Sequence, residues 1–176
     1  AFITMKKIIL LGYMGSGKST VGKLLSNSIN YNFLDLDHLI EKEKNMSINK
    51  IFEQHGEVYF RKLEHEILKN TLLKDENCII SLGGGTPCYA NNMELFKDNN
   101  IFTIYLNCSI NGLFERLNQN KSKRPLIANM DNNELQEFIA KHLFERSFFY
   151  NQAKFKIHTE NKTKLEIVEE IKKILF

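Results

Sequence analysis

Arginine is scarce: of 24 basic residues only four are arginine, Arg61, Arg116, Arg124 and Arg146. The charged surface is built from lysine, so the few planar guanidinium forks, suited to gripping carboxylate or phosphate with paired hydrogen bonds, can be followed one by one. Cysteine is as sparse. Cys78, Cys88 and Cys108 are odd in number and show no CxxC or Cys/His spacing, which argues against a disulfide framework and a zinc site and predicts buried or bystander thiols. With two prolines, 43% hydrophobic and 26% charged residues, the chain carries no collagenous, disordered or repeat signature. No apolar run approaches the ~18 residues of a membrane span, and no signal-peptide pattern precedes the first strand, so a cytoplasmic protein is expected. The opening "AFIT" reads as an expression-vector remnant, leaving residues 5–176 as one domain. The net charge of +3 suits an anionic ligand but is far from the basic stripe of a nucleic-acid-binding protein. No apolar seam is evident, and a monomer is expected.

Short apolar runs recur along the chain: "KKIILLG", "NFLDLD" (Asn32–Asp37), "CIISLG" (Cys78–Gly83), "IFTIYLN" (Ile101–Asn107) and "KFKIHT" (Lys154–Thr159). Between them lie segments with helical spacing: "TVGKLLSNSI", "INKIFEQHGEVYFRKLEHEILKNTLL", "NNMELFKDN", "INGLFERLNQ", "NELQEFIAKHLFERSFFYNQ" and, after the last strand, "KLEIVEEIKKIL". Five strands alternating with crossover helices predict a five-stranded parallel sheet covered on both faces, a three-layer α/β/α fold whose ligands bind at the carboxyl edge. "QNKSKRPLIANMDN" breaks the rhythm; it is polar, holds Pro125 and reads as a mobile flap, too polar to be core.

Gly12-Tyr13-Met14-Gly15-Ser16-Gly17-Lys18-Ser19 fits G-x-x-x-x-G-K-[ST] after a strand and at the head of a helix. That is a phosphate loop: backbone N–H groups curl around phosphate, Lys18 reaches the β and γ phosphates, and the Ser19 hydroxyl ligates magnesium. Asp35 and Asp37, two apart at the end of the second strand, are expected on one strand face, one for magnesium through water and the other for an acceptor hydroxyl. Arg61 and Glu64 share a helix face at a spacing of three, and Arg146 and Tyr150 lie one turn apart. Arg116 and Arg124 flank or occupy the flap, where an arginine can stabilise charge on a transferring phosphoryl group. One stretch lacks the carboxylate usual at such a strand end: "CIISLGGGTP" runs from strand into three glycines.

As a set, "GYMGSGKST", the "DLD" pair, "FRKLE", "SLGGG", "KRPL" and "ERSFFY" resemble the shikimate kinase family in order and spacing, from about Met5 to the C-terminus. The resemblance implies a P-loop kinase fold with a mobile lid at about 117–131, and transfer of the γ-phosphate of ATP, with Mg2+, to the 3-hydroxyl of shikimate. It implies nucleotide binding by Gly12, Met14, Gly15, Ser16, Gly17, Lys18, Ser19 and Thr20, with Arg116 along the adenine and the lid's Arg124 over the γ-phosphate. Arg61 and Arg146 would grip the shikimate carboxylate, Glu64 would hold Arg61, and Asp37 would orient the attacking hydroxyl. Asp35 would reach magnesium through water. Gly83, Gly84 and Gly85 would form the floor of the acceptor pocket, letting backbone N–H groups approach the substrate, with Ser81 bonding a magnesium-bound water. The turn "HTENKT" would border the adenine. Gluconate kinases and nucleoside monophosphate kinases are the nearest alternatives, but the latter usually carry proline and glycine where this loop has Met14 and Ser19. A non-catalytic nucleotide switch would have no need of Asp37, Arg61 and Arg146 around one cavity.

Overall fold

The computed structural model describes residues 6–176; the expected remnant, residues 1–4, lies outside the described residues, as does Met5. Five strands form one sheet: β1 (Lys7–Leu11), β2 (Asn32–Asp35), β3 (Cys78–Ser81), β4 (Ile101–Asn107) and β5 (Phe155–His158). Their order is β2-β3-β1-β4-β5, and every pairing is parallel. β1 is the middle strand, buried along its whole length. Its alternation explains the layers: Ile8 and Leu10 point into one apolar cluster, Ile9 and Leu11 into the other.

On the first face lie α1 (Lys18–Ile29) and α6 (Lys164–Leu175), packed through Val21, Leu25, Ile167 and Ile171. The opposite face carries α2 (Leu36–Lys44), α3 (Ile48–Leu72), α4 (Ile110–Gln119) and α5 (Asn132–Tyr150), which contribute Leu36, Phe60, Leu113 and Ile139 to the larger cluster. The expected three-layer architecture is therefore the observed one. No helix among the described residues is long and apolar enough to cross a membrane.

Several expectations need correction. The second strand ends at Asp35, not Asp37, because the Asp35 carboxylate accepts from the His38 backbone N–H at 3.2 Å and caps α2, a helix the strand pattern concealed. Around Asn91 the expected helix is a short 3-10 turn, Asn92–Phe96. The segment between α4 and α5 is not free of core residues: Ile127 is fully buried and pins it to the larger cluster. Cys78 and Cys108 are buried, Cys88 is partly so, and all three are free thiols, as expected.

α3 is two helices joined across Gly56, whose φ of 80° lies in the left-handed region. Nothing stands within 4 Å of where a side chain there would begin, so conformation rather than space demands glycine. Gly56→Ala is therefore expected to lower unfolding free energy by about 1–2 kcal/mol, read from the midpoint of urea denaturation at unchanged slope. An unchanged midpoint would show that the kink carries no conformational cost.

Candidate active site

β1 delivers the chain into the loop Gly12–Gly17, and α1 begins at Lys18 without an acidic residue in its first turn and without a side-chain cap. Gly17 occupies the cap position at φ 96°, so the free N–H groups of the helix start face outward as an anion-binding cradle. Ser16 Oγ is buried with no hydrogen-bond partner, a second sign that the loop is shaped around a group from outside. Lys18 Nζ donates to the carbonyls of Gly12 at 2.7 Å and Tyr13 at 3.0 Å, which holds it at the loop's mouth. Burial lowers its pKa to about 8, helped by Arg146 and Arg124 and opposed by Asp37 and Asp35.

A cavity of about 450 Å³ opens in front of the loop. Met14, Gly15, Gly17, Lys18, Ser19, Thr20, Asp35, Asp37, Ser81, Gly83, Gly84, Arg116 and Arg124 all line it, as the sequence led us to expect of a single site. Gly12 and Ser16 are buried within the loop and do not line the cavity. Ser19 Oγ donates to Asp35 Oδ2 at 3.4 Å, a pair of hard oxygen donors of the kind magnesium takes, with Ser81 lining the same cavity. Among the described residues no three His, Cys, Asp or Glu side chains gather as a metal cage. A cation here fits only alongside further oxygens, such as those of phosphate and water.

Asp37 is not on the strand with Asp35 but in the first turn of α2, and it reaches the same cavity from there. Burial pushes its pKa up to about 6, with repulsion from Asp35 and Glu64 adding to the shift and Lys18 opposing it. Arg124, in the segment between α4 and α5, approaches Met14 Sδ at 4.0 Å, so this segment lies over the loop. Arg116 donates to the Gly15 carbonyl at 3.1 Å and is shared with a second cavity of about 610 Å³. That cavity also takes in Thr159–Thr163, the turn after β5.

The three glycines after β3 are explained by space. A methyl on Gly83 would lie 3.0 Å from Asp37 Oδ1, one on Gly84 3.1 Å from Arg146 Nη1, and one on Gly85 2.8 Å from Arg61 Nη2. None of the three has a positive φ, so what they supply is room for three charged side chains. Arg61, Arg146 and Gly85, expected at the same site, do not line this cavity; Arg146 comes up to the lining residue Gly84, and Arg61 lies against Gly85, the next residue. Glu64, almost fully buried, accepts from Arg61 Nη1 at 2.9 Å, the ion pair expected from the spacing. Tyr150 donates from its hydroxyl to the Gly84 carbonyl at 2.5 Å, and Arg146 lies over the Tyr13 ring at 5.6 Å.

Two participants had no signal in the sequence. Lys164, the first residue of α6, lines the cavity and would meet a methyl on Gly17. Burial and neighbouring Arg116 lower its pKa. Thr86 donates to Glu64 Oε2 at 2.8 Å.

Because the folded-state pKa of Asp37 lies above its ordinary 3.8, the folded protein binds that proton more tightly than the unfolded chain does. Stability contributed by this group is present at low pH and is lost as pH rises from about 4 through 6. Asp37→Asn is expected to raise the thermal midpoint at pH 7 by a few degrees and to flatten its decline over that window, as calorimetry would read. A lowered midpoint at pH 7 would contradict the buried, repelled carboxylate.

The family model described as shikimate kinase matches residues 14–176. The shikimate kinase of Flavobacterium johnsoniae is 59% identical over 171 residues, covering 97% of this chain and 99% of that protein. That of Flavobacterium psychrophilum is 52% identical over 172 residues, covering 98% and 100%. Among solved structures, shikimate kinase from Bacteroides thetaiotaomicron superposes with a TM-score of 0.89 at 36% identity, covering 97% of this chain and 98% of that one. The Acinetobacter baumannii enzyme in complex with shikimate gives 0.84 at 31% identity, covering 98% and 93%. A family model over residues 14–176, together with relatives identical at half or more of their residues over nearly the whole chain, leaves one conclusion, that the chain belongs to the shikimate kinase family.

Proposed function

We propose that the protein transfers the γ-phosphate of ATP to the 3-hydroxyl of shikimate, giving shikimate 3-phosphate and ADP. The observation that carries this reading is the convergence of Asp37, Arg61 and Arg146 on three adjacent glycines beside a phosphate loop. Two guanidinium groups on one side suit a carboxylate, and a carboxylate on the other suits ring hydroxyls. Such an arrangement favours a small hydroxy acid over a nucleobase.

In this reading the triphosphate lies along Gly12 to Thr20, with its base toward the cavity bounded by Arg116 and Thr159–Thr163. Magnesium, when bound with the nucleotide, neutralises charge on the β and γ phosphates. Ser19 would hold the ion directly, and Asp35 and Ser81 would hold its waters. Lys18 follows the transferring group and balances charge that builds on its oxygens. Asp37 orients the attacking hydroxyl and accepts its proton, a role for which a pKa near 6 suits a carboxylate. Little else is required of a base, since phosphoryl transfer depends chiefly on alignment and charge. Residues 117–131 act as a lid that brings Arg124 over the γ-phosphate and shuts out water, which would otherwise consume ATP without product. A monomer working in the cytoplasm completes the proposal.

The test offers shikimate, gluconate, AMP and CMP separately and follows ADP release. Shikimate alone should stimulate it. Arg61→Ala and Arg146→Ala should each weaken the response to shikimate by about a hundredfold or more while ATP binding persists, as expected for loss of a charged contact to a carboxylate. Stimulation by AMP or gluconate instead would sink the assignment.

Gly84→Ala adds one methyl against Arg146 and leaves the phosphate loop untouched except at the Met14 backbone, 3.7 Å away. The KM for shikimate is expected to rise several-fold more than that for ATP. Equal changes in both would assign Gly84 to the backbone's shape, not to the acceptor pocket.

A further inference from the structure

Four successive residues at the end of β3, Gly83 to Thr86, each meet a different charged side chain. The first three do so by having no side chain, and the fourth does so with its hydroxyl. We propose that Thr86 is a positioning residue for the acceptor site: through Glu64, its hydroxyl fixes the direction of the Arg61 guanidinium. The inference rests on the reading that Arg61 grips the substrate's carboxylate.

Glu64 is 1% exposed, and an ionised carboxylate at that depth needs both oxygens satisfied. Oε1 accepts from Arg61 Nη1 at 2.9 Å and Oε2 from Thr86 Oγ1 at 2.8 Å. Thr86 is itself completely buried and is held from behind, since its carbonyl accepts from Asn92 Nδ2 at 2.9 Å. Asn92, equally buried, accepts at Oδ1 from His65 Nδ1 at 2.7 Å. His65 follows Glu64 on α3, so the chain of bonds leaves that helix at Glu64 and returns one residue later.

Arg61 by contrast is held at one point. Its bond to Glu64 is its sole side-chain hydrogen bond among the described residues, and its Nε is buried without a partner. Glu57 stands 3.8 Å from that nitrogen, beyond hydrogen-bond reach, and is largely exposed. The remaining contacts are by shape: the Tyr89 ring lies 4.0 Å from Cζ, and Gly85 passes close to Nη2. A fork anchored at one nitrogen turns with its anchor. Without the threonine hydroxyl, the Glu64 carboxylate is free to rotate toward another donor, and the guanidinium turns away from the acceptor pocket with it. Paired hydrogen bonds to a planar carboxylate tolerate little such rotation.

The experiment measures KM for shikimate, KM for ATP and kcat in the full-length chain carrying Thr86→Val, Thr86→Ser or Arg61→Ala, with a thermal midpoint for each. Valine keeps the shape and removes the hydroxyl. It should raise the KM for shikimate about tenfold while kcat and the KM for ATP stay within about twofold. Serine keeps the hydroxyl and should behave like the wild type. If the valine variant does not fold, Thr86→Ala removes the same hydroxyl and is scored in the same way. A shikimate KM unchanged by loss of the hydroxyl, alongside an impaired Arg61→Ala, would overturn the inference and leave the functional reading intact. Equal losses in kcat and in both KM values, or no recovery with serine, would also overturn it by pointing to structure alone. An unimpaired Arg61→Ala would overturn the reading and the inference together.

Discussion

At the end of β3 the chain passes between two arginines and an aspartate with clearance for hydrogen atoms only. A methyl group would come within 2.8 to 3.1 Å of a charged atom at each of three consecutive residues. Everything on the β3 side of the cavity follows from that constraint. α3 and α5 can bring Arg61 and Arg146 up to the sheet edge, and α2 can bring Asp37, because the intervening backbone has no volume of its own. The sheet order supplies the other half, since β3 lies directly beside β1 and the glycines therefore stand next to the phosphate loop.

The same crowding explains why the charges are uneasy. Lys18, Arg116, Arg124 and Lys164 share one cavity with Asp35 and Asp37, and burial penalises Lys18 and Asp37 in opposite directions. Lys18 holds its proton less tightly than in water and Asp37 holds its own more tightly, so each keeps its ordinary charge at neutral pH at a cost. Such a site stores electrostatic cost, and part of the molecule's stability is given up to keep these charges together.

Much of this was legible in the chain. β4, α4 and α6 have the bounds that their apolar spacing predicted, and the phosphate loop's glycine pattern was sufficient by itself because backbone geometry there dictates residue type. Reading failed where one residue served two ends. Asp35 looked like a strand residue and is also a helix cap, so α2 and the true location of Asp37 were hidden behind an apparent alternation. Ile127 was lost in a polar stretch, because composition averages over a segment while burial selects a single side chain. Thr86 and Lys164 have no local signature at all. Their roles depend on partners 22 and more residues distant, which spacing along one helix or strand cannot show.

The middle position of β1 has a consequence for how the molecule comes into being. Lys7–Leu11 pairs only with β3 and β4, whose first residues in register are Cys78 and Ile101. As the chain leaves the ribosome, β1 has no neighbour until Cys78 follows Lys7, 71 residues on, and its second edge waits for Ile101. α6 adds to the cover that the sheet already gives the apolar face of α1. Parallel pairing across such separations makes assembly slow and late. The phosphate loop lies between β1 and α1, so the pairing of that strand and the packing of that helix on the sheet and on α6 all bear on its shape.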